Sequence, residues 1–386
     1  MDLYLETGYT SLHKYGEELC GDKVEYIEKD DCFTLVLADG LGSGVKANIL
    51  ATLTSKILCS MMSNNISIEE CVETIIQSLP VCKVRGIAYS TFSVIHINNK
   101  GEGYLIEFDN PQAIYYHDGQ CMDLQRTVLE ISGKKVYRSA LQLHENDLVV
   151  LMSDGALHAG AGKIVNFGWQ RDDIMKHLNR IVKPDLSARC IACFLAAACN
   201  DLYFDKPGDD TTIAAVKIRR KNPVSIMVGP PVNKEQDTVC VSRFMSREGK
   251  KIVCGGTTSQ IVARHLNKSL KASFEFPDKE VPPTGHIDGI DLVTEGVLTL
   301  RKLLALSEKY LSTVDLSPKK QNKPDGASLL ANMLFEEATH VHFFVGQSVN
   351  PAHQDLPIDS TMKLKLVESL ARNLRKMGKG VEVEYY

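Results

Sequence analysis

Thr34-Leu35-Val36-Leu37-Ala38-Asp39-Gly40-Leu41-Gly42-Ser43-Gly44 sets an apolar, β-prone run against a carboxylate and a glycine-rich turn. Two later stretches repeat the association. Asp147-Leu148-Val149-Val150-Leu151-Met152 runs into Ser153-Asp154-Gly155, and Gly208-Asp209-Asp210-Thr211-Thr212 runs into Ile213-Ala214-Ala215-Val216. Carboxylates at strand ends, drawn from distant parts of a chain, build a hard-cation site. Mg²⁺ and Mn²⁺ take oxygen ligands, and a pair of them needs several carboxylates on rigid supports. More than a hundred residues separate the first cluster from the second, so no local loop such as an EF-hand holds them. An Asp-Gly pair by itself is ordinary turn chemistry. The three clusters in this order, each with its strand, carry the reading.

Taken with Gly21-Asp22, this order resembles the metal-dependent protein phosphatases of the protein phosphatase 2C type, in the bacterial branch similar to the stage II sporulation protein E phosphatases. Tyr89-Ser90-Thr91-Phe92-Ser93-Val94 resembles that branch's Ala-Thr-Leu strand. Asn110-Pro111-Gln112-Ala113 stands where the branch usually has a Gly-Ala-Pro-Pro turn. Glu145-Asn146-Asp147 resembles the Gly-Asp before its second Asp-Gly strand. The resemblance covers roughly residues 1–220.

The resemblance implies an α-β-β-α sandwich for residues 1–221, two antiparallel sheets flanked by helices. It implies hydrolysis of phosphoserine or phosphothreonine with two Mn²⁺ or Mg²⁺ ions about 4 Å apart, which activate water and neutralise charge on the phosphate. By motif position it implies that Asp39 bridges both ions and that the Gly40 carbonyl adds a ligand. Asp154 and Asp209 then hold one ion, and Asp22 supplies the remaining carboxylate. Asp210 stands behind the site or holds a weaker further ion. The catalytic set is Asp39, Asp154 and Asp209. The implied partner is a phosphorylated protein, of the anti-sigma-factor-antagonist kind found in bacterial partner-switching pathways. Two departures stand out. The branch commonly has an acidic residue just after its second Asp-Gly pair, whereas this chain has Ala156-Leu157-His158-Ala159-Gly160, which makes His158 either a site residue or a local capping group. No clear phosphate-clamping arginine is present; Lys14, His13 and Arg85 are the cations in question.

Composition bounds the rest. At 386 residues the chain has room for about two or three domains, each able to bury a core. A net charge of −4 with no long basic stretch argues against nucleic acid, and Lys217-Ile218-Arg219-Arg220-Lys221 reads as a solvated strand end. No apolar stretch approaches the ~18 residues that span a bilayer, and the N-terminus lacks the features of a signal peptide. The odd cysteine count of 11, scattered along the chain, points to a reducing cytoplasm. Cys190 and Cys193 read as small core residues.

Along the first domain the pattern predicts strands at 3–10, 24–37, 89–97, 103–108, 112–116, 135–142, 147–152 and 211–219. It predicts helices at 45–63, 67–79 and 171–204, the second opened by a Ser67/Glu70 capping box. A boundary falls near Lys221-Asn222-Pro223. Residues 222–386 then alternate strand, glycine-rich loop and helix, which predicts an α/β domain with a mostly parallel sheet. There Gly255-Gly256-Thr257-Thr258, continued by Ser259, is either an anion cradle or a tight strand–helix turn. With Asp288, Asp291, Glu295 and 346–348 it forms the candidate small-ligand site at strand carboxyl ends. The Lys- and Pro-rich stretch 317–324 is expected to be a loop. Three functions compete: a cytoplasmic serine/threonine phosphatase regulated by its α/β domain, a ligand-sensing scaffold, and a small-molecule phosphatase.

Overall fold

The computed structural model describes residues 3–29, 31–78, 90–162, 164–184, 186–272, 282–313, 324–348 and 358–386. The chain divides into two compact units, one over Leu3–Arg219 and one over Arg220–Thr313 with Ser317–Tyr386. Arg85 and residues 317–323 lie outside the described residues.

Among its described residues the first unit has eleven strands and five helices. The strands are β1 (Leu3–Leu12), β2 (Asp22–Glu28), β3 (Cys32–Gly40), β4 (Ser90–Asn98), β5 (Glu102–Phe108), β6 (Ile114–His117), β7 (Gln120–Met122), β8 (Arg126–Ile131), β9 (Lys134–Gln142), β10 (Leu148–Met152) and β11 (Thr211–Arg220). The helices are α1 (Gly44–Met62), α2 (Ile68–Ser78), α3 (Gly155–His158), α4 (Arg171–Ile181) and α5 (Ala188–Leu202). One sheet has the order β2-β3-β4-β5-β9-β8, the other β1-β11-β10-β6-β7. Side chains alternate across each strand, and the alternation sorts them into three layers. Leu35, Leu37, Ile95, Val149, Leu151, Ala214 and Val216 meet between the sheets. Val36, Ala38 and Val94 turn the other way, onto α1 and α2. Leu148, Val150, Met152, Ile213 and Ala215 turn onto α4 and α5. Truncating a fully buried position such as Leu37 to alanine costs about 2–5 kcal/mol.

Three readings of this region need correction. The expected strand 24–37 is a hairpin, β2 and β3: β2 ends at Glu28, β3 starts at Cys32, and Lys29 N–H donates to the Cys32 carbonyl at 2.8 Å. The expected helix 171–204 is two helices. Pro184 disfavours helix at the residue before it, and Ser187 restarts it by accepting from Cys190 N–H at 3.1 Å. Strands β7 and β8 were not expected; each joins a hairpin through two residues with positive φ, Asp118-Gly119 and Ser132-Gly133.

The second unit is built on β12 (Pro223–Val228), β13 (Lys250–Cys254), β14 (Lys271–Ala272), β15 (Gly285–His286), β16 (Leu292–Thr294), β17 (His340–Val345) and β18 (Gly380–Tyr385). Its helices are α6 (Asp237–Ser246), α7 (Gly256–Leu266), α8 (Val297–Ser312), α9 (Gly326–Ala331) and α10 (Ile358–Lys376). The sheet order is β14-β15-β16-β13-β12-β17-β18, parallel from β16 to β18. Val224, Ile226 and Val228 pack with α8, α9 and α10, and Met227 packs with α6 and α7. The chain starts at the centre, moves out through β13 to β16, and returns to the other side of β12. Strand β12 and helix α6 were not expected.

Candidate active site

The acidic residues meet at one end of the first unit because β2, β3, β10 and β11 all present that end. Asp22 opens β2 and stands directly across from Asp39 in the β2/β3 register. Asp39 is in turn opposite Thr91 on β4. Asp154 follows β10, and Asp209-Asp210 leads into β11, its antiparallel neighbour. Ser153 joins the two sheets: its hydroxyl donates to Asp22 Oδ2 at 2.7 Å and accepts from Thr212 N–H at 2.8 Å. The fully buried Ser153 thus ties a carboxylate of one sheet to the backbone of the other.

Glycine is required at two places here. A Cβ on Gly40 would lie 2.0 Å from the Ala47 carbonyl oxygen, so only glycine lets α1 sit directly on the end of β3. Gly42 has φ of 100°, a conformation that side chains resist.

The result is a cleft of about 420 Å³ lined by Asp39, Asp154 and Asp209 with the Gly40–Ser43 loop, Lys14, Thr91 and Asp109. Asp22 and Asp210 are buried behind it. Burial is the main cause that pushes the Asp39 carboxyl up to about 9, reinforced by Asp22, Asp154 and Asp209. Burial likewise lifts Asp22 to about 7 against the hydrogen bonds from Ser153 and Thr212, with Asp210 and Asp154 adding to the rise. Asp154 is raised by burial and then by Asp209. Asp39 and Asp154 are within hydrogen-bonding reach of each other. Two buried carboxylate oxygens, Asp22 Oδ1 and Asp210 Oδ2, have no protein partner. Crowded carboxylates with orphaned oxygens need either protons or cations, and an all-oxygen donor set fits Mg²⁺ or Mn²⁺.

Among the lining residues Lys14 is the only lysine or arginine. Its Nζ lies 3.6 Å from Asp209 Oδ1 and its backbone N–H donates to Asp210 Oδ1 at 3.0 Å. His158 Nε2 lies 3.8 Å from Asp154 Oδ2, both side chains being about half exposed. Sequence reasoning missed Asp109, which lines the cleft with φ of 52°, and the role of Asn110, whose Oδ1 accepts from Thr91 Oγ1 at 2.5 Å. Asp-Asn-Pro is common turn composition, and the resemblance marked Asn110 only as part of a turn.

Residues 29–219 match the family model described as stage II sporulation protein E. This segment belongs to that family. The first unit is therefore a metal-dependent protein phosphatase domain of the protein phosphatase 2C type, a phosphoric monoester hydrolase. Solved structures similar to this chain include the phosphatase domain of the cell-fate determinant SpoIIE from Bacillus subtilis, 22% identical, covering 57% of this chain and 95% of that one with a TM-score of 0.46. A second structure from the same organism, the phosphatase domain with a fragment of its regulatory domain, is 23% identical over 57% of this chain and 65% of that one, with a TM-score of 0.49. RsbX in complex with magnesium is 20% identical over 55% and 95%, with a TM-score of 0.40. No curated protein matches the chain significantly. No helix among the described residues is long and apolar enough to cross a membrane.

The residues expected to bind a ligand in the second unit are placed differently. Gly255 follows β13 with φ of 114°, and α7 begins at Gly256, so Thr257 and Thr258 belong to the first helical turn and not to a loop. Ser259 Oγ donates back to the Gly255 carbonyl at 2.8 Å. Asp288 and Asp291 precede β16 and lie at its amino end; Asp291 Oδ2 accepts from the backbone N–H of Lys251 at the start of β13. They cannot share a site with Glu295, at the carboxyl end, where its side chain accepts from Leu298 N–H at 3.1 Å and caps α8.

Proposed function

We propose that this phosphatase hydrolyses phosphoserine or phosphothreonine in a protein substrate, using a dinuclear Mn²⁺ or Mg²⁺ site held by Asp22, Asp39, Asp154 and Asp209 with the Gly40 carbonyl. Asp210 braces the site. The observation that carries this reading is the crowding of buried carboxylates around one cleft, with the Asp22 and Asp210 oxygens left unpartnered. Held by these residues, divalent cations would supply an acidified water and positive charge for the phosphate oxygens. The chain's own residues do the rest. Asp39 is fixed by its place in the β2/β3/β4 ladder, and Ser153 fixes Asp22, so the donor set is rigid before any substrate arrives. Lys14 supplies a positive charge beside Asp209 that suits a phosphate oxygen. Ser43 precedes α1, lines the cleft and makes no side-chain cap, bonding Glu17 instead at 3.0 Å. The first N–H groups of α1 therefore suit an anion. The open cleft favours a protein segment over a small enclosed metabolite.

A partner-switching role, with an anti-sigma-factor antagonist as substrate, is the signalling context we propose. The test is hydrolysis of p-nitrophenyl phosphate in EDTA, Mg²⁺ or Mn²⁺ by wild type and Asp39→Asn, followed by phosphoprotein and metabolite panels. Metal-dependent turnover lost in Asp39→Asn supports the reading; turnover in EDTA, or preference for a metabolite, overturns it.

A further inference from the structure

The first unit carries another cluster of metal-ligating side chains, at the opposite end of β10 from Asp154. Asp147 stands just before that strand, roughly 20 Å from Asp154 along the extended backbone, and its carboxylate is fully buried. Its Oδ1 is 2.8 Å from His117 Nδ1, and its Oδ2 is 3.7 Å from His144 Nδ1. Ligand atoms of all three residues lie within 4.8 Å of one another. His117 ends β6, and His144 lies in the connection from β9 to β10.

We propose that His117, His144 and Asp147 form a second cation site, for Zn²⁺ or a similar borderline transition metal, separate from the acidic cleft. The donor chemistry selects the ion. Two imidazoles with one carboxylate suit Zn²⁺, Co²⁺ or Ni²⁺, whereas Mg²⁺ and Mn²⁺ prefer the all-oxygen cleft. Three further contacts support the donors as ligands need to be supported. The Tyr115 hydroxyl donates to Asp147 Oδ2 at 2.8 Å, and the His144 backbone N–H donates to the same oxygen at 2.9 Å. These bonds orient the carboxylate and leave Oδ1 facing His117. On the far side of that ring, His117 Nε2 lies 3.7 Å from Asp118 Oδ2. A carboxylate there can support a proton on Nε2, the tautomer that frees the Nδ1 lone pair when a cation binds. Without metal, Nδ1–H donates to Oδ1 at 2.8 Å; on binding, the ring proton moves to Nε2 and the cation takes the place of that bond. The half-exposed His144 ring gives an entry path, and three protein ligands leave one tetrahedral position for water. The site would fasten the β6–β7 hairpin to the segment that starts β10.

The test is calorimetric titration of Zn²⁺ into the full chain carrying Asp39→Asn, in excess Mg²⁺ so that the cleft contributes little. One Zn²⁺ per chain is expected, with a rise in melting temperature. His144→Ala, at an exposed side chain, should weaken binding at least tenfold, and His117→Ala should do the same. His286→Ala, at an exposed histidine of the second unit, should leave it unchanged. Co²⁺ should give the intense visible bands of a four-coordinate site, lost in His117→Ala. Absence of Zn²⁺ binding in the Asp39→Asn chain, or binding that both histidine variants leave intact, would overturn the proposal.

Discussion

Both units place glycine-rich turns and acidic side chains at strand ends, but they treat those groups in opposite ways. In the first, Asp22 Oδ1 and Asp210 Oδ2 are buried without partners, and Asp39, Asp22 and Asp154 are all pushed toward the protonated form. In the second, the corresponding turn is engaged internally: Ser259 bonds Gly255, Glu295 caps α8, and Lys363 Nζ donates to the Gly346 and Ser348 carbonyls. A site built to take a cation keeps uncompensated charge; a turn built to join strand to helix satisfies its own groups. The same residue types therefore mean different things according to whether their hydrogen bonds close locally.

The largest expected effect breaks the first side of this comparison. Asp39→Asn should lower Mn²⁺-dependent kcat/KM by about 10³-fold or more, since it removes the carboxylate central to the cluster. Above pH 9, where Asp39 ionises, it should also stabilise the metal-free protein, because a repelling buried charge is gone; loss of stability instead would mean that Asp39 serves the fold.

The second effect is a pH dependence. Asp39 near 9 and Asp22 near 7 lie above the ~3.9 of an unfolded aspartate. Between those values the native state holds more protons than the unfolded state, so stability falls as pH rises. The melting temperature in EDTA should therefore drop between pH 6 and pH 9. Saturating Mn²⁺ should raise it most at the alkaline end, where protons no longer compete. A flat EDTA profile would contradict the crowding argument.

Third, Lys14→Ala should raise KM about tenfold with a smaller change in kcat, as expected for one charge-assisted contact to substrate phosphate. Lys14→Arg should restore most of the loss. An unchanged KM would confine Lys14 to its ion pair with Asp209. The smallest effect probes the second unit. Gly256 has open space where a Cβ would lie, so Gly256→Asp should alter stability by less than ~0.5 kcal/mol and leave hydrolysis unchanged. Stabilisation by inorganic phosphate that this substitution abolishes would instead restore the turn as an anion cradle.

The sequence was most legible where structure and chemistry use the same residues. The strand–Asp-Gly–helix stretch around Asp39 announced both an edge of the core and a carboxylate that lines the cleft. The hairpins at Asp118-Gly119 and Ser132-Gly133 carried a recognisable turn signal, but the short polar strands beside them, β7 and β8, bury too little to show a period. Ser153 and Asn110 were opaque for another reason. Their importance lies in bonds across 131 and 19 residues of chain, to Asp22 and Thr91, and no local pattern encodes such a partner. The misplacement of Asp288 and Asp291 has the same origin: composition shows that a strand is near, and only the parallel register shows which end.

The most direct test of the proposed dinuclear site is calorimetric titration of Mn²⁺ into metal-free wild type and Asp39→Asn at pH 8. The account predicts two strongly bound ions per wild-type chain and loss of at least one of them in the variant, in step with activity. A single ion, or two ions bound equally well by Asp39→Asn, would contradict it.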